Sequence, residues 1–149
     1  MTPEQRIAAL GIVIPELVSP VGQYIHGKRL GNLLYLSGKG TVSLIGKVGR
    51  DLTTSQAKQA SREIGLYLLA AIIHEAGSLG CVRQIVKING YINATPDFTE
   101  HPAVIDGCSQ LFIDVFGDDG KHVRTSVGVS SLPGNMPVEI EAVVEMKLP

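Results

Sequence analysis

Apolar and polar positions change rhythm several times along the chain, and each change marks an element. From Thr53 onward, apolar residues recur at Ala57, Ala60, Ile64, Leu68, Ala71 and Ile72, the three-and-four spacing of a helix. Thr53 and Gln56 have the spacing of a capping box, and Gly77 stands where a C-cap belongs, which predicts a helix of about 23 residues. Beyond Gly65 this helix is apolar nearly all round, so a sheet is expected to cover it. Residues 82–94 alternate instead, with Ile85, Lys87, Asn89 and Tyr91 set against Val86, Ile88 and Ile92. That period of two predicts a central strand. A second helix is predicted over 101–116, with Pro102 near its start and Gly117 at its end.

Turn residues place the remaining strands. Gly31-Asn32 separates residues 23–29 from 33–37 and predicts a hairpin. Residues 42–48 read as a loop or a short extra strand. Pro133-Gly134 divides two last strands over 122–131 and 138–148. Ahead of all these, residues 1–20 form an N-terminal extension. Thr2 and Pro3 would start a short helix there, docked through Ile7, Ala8 and Leu10. The order β-β-α-β-α-β-β predicts one domain over residues 1–149 of class α+β. Its sheet would be mixed or antiparallel, with both helices on one face. The opposite face carries apolar and small residues, and burial against other subunits would cover it.

Composition narrows the chemistry. The chain of 149 residues is 44% hydrophobic but 5% aromatic, with no Trp, so its core must be aliphatic. A net charge of -1, no basic run and no aromatic stacking cluster argue against nucleic acid as a partner. The longest apolar stretch, 66–73, is too short to span a bilayer, so no membrane partner is expected. The polar N-terminus lacks a secretory pattern, and a cytoplasmic location is expected. Cys81 and Cys108 show no metal-ligand spacing. Two reduced thiols are expected, with no metal and no cofactor.

Candidate site residues gather near the C-terminus. Arg124 heads one strand, and Glu139 and Glu141 alternate along the next. A fixed cation beside carboxylates on neighbouring strands would suit a small anionic substrate. The two glutamates share a sheet face by alternation, which leaves open which of them acts. Ser126 shares a strand face with Arg124. Ser37 is followed by Gly38 and Gly40, where a ligand or another backbone can come close. His122 reads as a surface or interface side chain. His26, His74 and His101 show no partner spacing.

Four segments carry a family resemblance: V-G-Q-Y-I-H-G (21–27), L-Y-L-S-G (34–38), H-E-A-G-S-L (74–79) and R-T-S-V-G-V-S-S-L-P-G-N-M-P-V-E-I-E-A-V (124–143). With these, the chain resembles the RidA/YjgF family of reactive-intermediate (enamine/imine) deaminases, once grouped as endoribonuclease L-PSP. The G-x-H-x-R run from Gly120 to Arg124 and the length look like a longer, divergent branch. The resemblance implies a chorismate-mutase-like fold and a homotrimer with sites in the clefts between subunits. It implies that Arg124 binds a substrate carboxylate and that Glu139 helps to activate water. Tyr24, Ser37, Gly38 and Ser126 would line the substrate site. Two positions depart from the family pattern: Ser126 stands where Cys is common, and Ser109 falls near an expected Asn.

Three functions compete on this reading. The first is hydrolytic deamination of a small 2-imino or enamino acid to a keto acid and ammonia. The second is a trimer that binds small carboxylates without turnover. The third, ribonuclease activity, is opposed by the charge balance.

Overall fold

The computed structural model describes residues 1–149. Its elements are α1 (Pro3–Leu10), β1 (Gly27–Leu30), β2 (Leu33–Gly40), α2 (Thr54–Ala76), β3 (Val82–Asn93), α3 (His101–Phe116), β4 (Val123–Val129) and β5 (Val138–Met146). Capping chemistry sets the helix starts as expected. Thr53 accepts from the backbone of Gln56 and Gln56 caps back; Thr2 and Gln5 do the same for α1. α2 then ends at Gly77, which adopts a left-handed conformation.

The five strands lie in the order β1-β2-β5-β3-β4. All pairs are antiparallel except β3 with β4, which α3 connects as a parallel pair. Both long helices cover one face. Along β5, Val138, Ile140, Ala142, Val144 and Met146 point into that covered side and are buried. They join Ile64, Leu68 and Ile72 of α2 and Ile105 and Phe112 of α3 in a continuous aliphatic core. The other face has no helix over it. Tyr35, Val123 and Val127 are exposed, and by register Tyr35 and Val127 share that open face with Glu139 and Glu141.

Several expectations change. The first strand covers Gly27–Leu30, shorter than 23–29 at its start, because residues 21–26 hang on Ser37 by single bonds instead of a ladder. Of the two readings of residues 42–48 the loop holds, with isolated bridges from Val48 to Leu52 and to Ala94. A bulge between Ile85 and Lys87 breaks the alternation of β3. Ile85 therefore joins Ile88 and Ile92 in the core, while Lys87, Asn89 and Tyr91 take the open face. In α1 only Ile7 packs on the core; Ala8 and Leu10 are exposed. Polar contacts hold that helix too, since Gly80 N–H donates to Glu4. No helix is long and apolar enough to cross a membrane.

Candidate functional site

Arg124 and Glu139 were expected on neighbouring strands, and the fold separates them. β3 lies between β4 and β5, because the long return from Val129 to Val138 crosses over it. Register separates them further. Arg124 pairs with Ile88, a core position, so its side chain projects to the helix-covered face. Glu139 pairs with Tyr91 and Gly40 and projects to the open face. Within the single chain the cation and the carboxylate lie on opposite sides of the sheet.

On the covered side, α3 supplies the surroundings of Arg124. Its Nη1 donates to Ser109 Oγ at 2.9 Å and pairs with Asp106 Oδ1 at 2.7 Å. Its Nη2 donates to the Pro102 carbonyl at 3.2 Å. Asp106 and Ser109 stand three apart on the helix, so both reach the strand edge from one side. The two also form part of the wall of a polar groove of about 440 Å³ between α2 and α3. Ser126, two residues along β4, keeps its hydroxyl buried with no hydrogen-bond partner.

On the open side the two glutamates differ. Glu141 accepts from Tyr91 Oη at 2.6 Å and from Asn89 Nδ2 at 3.2 Å. The bond to Glu141, with burial second, pushes the Tyr91 phenol up to about 12. Glu139 has no such anchors and lies over Gly38. Burial, then the neighbouring charge of Glu141, raises the pKa of Glu139 above the ordinary carboxylate value. A carboxyl displaced toward neutrality is suited to exchanging a proton with water. Of the two acids, Glu139 is the one with its oxygens available.

The remaining expected positions divide. Gly38 touches Glu139, as described. Ser37 donates its hydroxyl to the Ile25 carbonyl at 2.6 Å, and its N–H goes to His26. It thereby ties down the segment that carries Tyr24, which is 46% exposed. His122 is not a plain surface side chain: it is half-buried and bonded to both Ser109 and Gly120. His26 has partners as well, with Lys39 Nζ donating to it and the His74 ring packed edge-on. Burial first, and then Lys39, lowers its pKa. Both cysteines are free. No group of three or more His, Cys, Asp or Glu side chains is arranged to hold a metal ion.

Sequence reasoning missed Asp106, Asn89 and Tyr91. Signals for all three existed. Asp106 and Ser109 form a polar pair at helical spacing inside an apolar helix. Asn89 and Tyr91 lie two apart on a strand, matching the spacing of Glu139 and Glu141.

Known proteins share this architecture. The family model described as YjgF/chorismate mutase-like, "putative endoribonuclease", matches residues 4–145. Protein TCP17 of Trypanosoma cruzi is 35% identical, over 95% of this chain and 94% of its own. A 2-iminobutanoate/2-iminopropanoate deaminase of Dermatophagoides farinae is 28% identical, over 97% of this chain and 98% of its own. The crystal structure of protein Atu1372 of Agrobacterium tumefaciens, of unknown function, superposes with a TM-score of 0.90. It shares 35% identity, covering 97% of this chain and 92% of that one. Fold and sequence agree, and the chain belongs to the YjgF/chorismate mutase-like family, in which RidA-type deaminases are found.

Proposed function

We propose that this protein hydrolyses small 2-imino acids to 2-keto acids and ammonia, in a cleft formed where two copies of the chain meet. The observation that carries this reading is the opposed placement of Arg124 and Glu139. A cation and a proton-exchanging carboxylate on opposite faces serve one substrate only when the edge of one protomer meets the open face of another. The exposed Tyr35 and Val127 on that face favour such an assembly, and a homotrimer closes it without leaving a face bare.

In this mechanism Arg124 holds the substrate carboxylate through two N–H donors. Glu139 of the adjoining copy takes a proton from water as the water oxygen bonds to C2 of the C=N group. The C=N electron pair moves to nitrogen, which takes the proton from Glu139, giving a carbinolamine. Glu139 then accepts the hydroxyl proton and passes it to the nitrogen. The C–N bond breaks, its electron pair leaves with ammonia, and the hydroxyl oxygen becomes the ketone oxygen. Tyr24 and Gly38 close the cleft. The identity shared with the deaminase of Dermatophagoides farinae supports this substrate class.

The test is keto-acid release from imino acids generated in situ by an amino-acid oxidase. Acceleration by wild type and none by Arg124→Ala, with both assembled alike in sedimentation, is the expected result. Equal rates for the two would remove the carboxylate clamp from the mechanism.

A further inference from the structure

We infer that His122 is a positioning residue for Arg124, acting through the hydroxyl of Ser109. Three bonds join these groups in series. His122 Nδ1 lies 2.7 Å from the Gly120 carbonyl, and its Nε2 lies 2.9 Å from Ser109 Oγ. Ser109 Oγ is in turn 2.9 Å from Arg124 Nη1. A carbonyl only accepts, so Nδ1 carries the ring proton. In the neutral ring Nε2 is then an acceptor, and the Ser109 O–H must donate to it. That leaves the lone pairs of Ser109 facing Arg124, which only donates. Every bond from Gly120 to Arg124 thus has one direction.

Burial of His122 favours the neutral ring this chain requires. The nearby Arg124 charge favours it as well, while the Gly120 carbonyl works the other way, and the net shift of the His122 pKa is downward. The Phe112 ring, edge-on at 6.1 Å between centroids, packs against the imidazole. On the far side, Asp106 is the charged group facing the same guanidinium.

The relay leaves part of Arg124 open. Nη1 donates to Ser109 and is paired in charge with Asp106, and one N–H of Nη2 goes to Pro102. Nε–H and one N–H of Nη2 have no partner in the chain, an open edge with two donors for a carboxylate. Without His122, the Ser109 hydroxyl is free to turn back to the carbonyl four residues earlier on its own helix, as helical serines do. Arg124 would then lose a partner that aligns it. That a substrate carboxylate uses the open edge rests on the proposed function; the relay itself does not.

Guanidinium nitrogen NMR on the whole protein reads the positioning with no ligand present. Separate Nη1 and Nη2 signals for Arg124 are expected in wild type and in His122→Gln, whose amide oxygen can still accept from Ser109. Merged signals are expected in His122→Ala and in Ser109→Ala, which breaks the chain at its middle if His122→Ala does not fold. Merged signals in wild type, or separate signals in the alanine variants, would overturn the inference. Titration with 2-ketobutanoate reads the consequence, an affinity about tenfold weaker in His122→Ala and nearly restored in His122→Gln. Equal affinity in wild type and His122→Ala counts against positioning. No binding by wild type counts against the proposed function alone, and the NMR result then stands by itself.

Discussion

The carboxylate of Glu139 in β5 lies against the backbone of Gly38 in β2, three strands earlier in sequence order but adjacent in the sheet. A methyl group on Gly38 would stand 3.1 Å from the Glu139 Cδ and 3.2 Å from its Oε2. Only a flexible side chain has to move, so Gly38→Ala should fold. The displaced carboxylate would no longer meet the water that the proposed mechanism has it activate. Turnover should fall roughly tenfold to a hundredfold, the cost of a small misplacement of a catalytic group, with KM little changed. A Gly38→Ala protein with full kcat would show that Glu139 needs no fixed position.

Glu139→Gln separates catalysis from stability. Loss of the proton acceptor should lower kcat by about 10²- to 10⁴-fold. Stability should move the other way. The folded pKa of Glu139 is raised by burial and by Glu141, so between the unfolded and folded pKa values the native state binds more protons than the unfolded one. Stability from this group is therefore full at low pH and falls as pH rises through the folded pKa. Glutamine has no charge to bury. The variant should match wild type in acid and melt higher near neutral pH; equal melting at both would mean the carboxylate is not strained in place.

Much of this fold could be read from the chain because the signals were local. The capping boxes at Thr2 and Thr53 use side chains three residues apart, and the alternation from Val138 onward needs no distant partner. What stayed hidden depends on pairing. The bulge after Ile85 reverses the face of part of β3, yet leaves no mark in an alternating string of residues. The crossing of the return from β4 over β3 likewise cannot be seen from the Pro133-Gly134 turn, which looks like a hairpin. The crossing puts β3 between Arg124 and Glu139, and the register of β4 and β5 on residues 88–91 of β3 turns them to opposite faces. The candidate residues were legible; their separation was not.

Gly107 tests how α3 is held where it serves Arg124. A Cβ on Gly107 would lie 2.1 Å from the backbone carbonyl of Lys58 in α2. Backbone cannot turn aside as a side chain can, so the helices must part. Gly107→Ala should cost about 1–3 kcal/mol, as overpacking does, and lower Tm by roughly 2–4 °C for each kcal/mol. Because Asp106 and Ser109 flank this contact, keto-acid affinity should weaken in the same variant. A Tm unchanged from wild type would contradict the close packing of α2 on α3.

Arg124→Lys keeps the charge and removes the fork. A lysine ammonium is a compact point charge; it can reach Asp106 or a ligand but cannot offer two parallel N–H donors while also holding Ser109 and Pro102. The ion pair with Asp106 has its carboxylate side chain 53% exposed, and pairs open to water contribute about 0–1 kcal/mol. Stability should therefore change little. Binding should change more, since a lost charge-assisted hydrogen bond is worth about 1.5–3 kcal/mol, roughly a tenfold to hundredfold loss of 2-ketobutanoate affinity. Calorimetric titration beside a thermal melt distinguishes the two. Affinity retained in Arg124→Lys would mean that charge alone attracts the ligand, and the directed hydrogen bonds around Arg124 would then serve folding and not recognition.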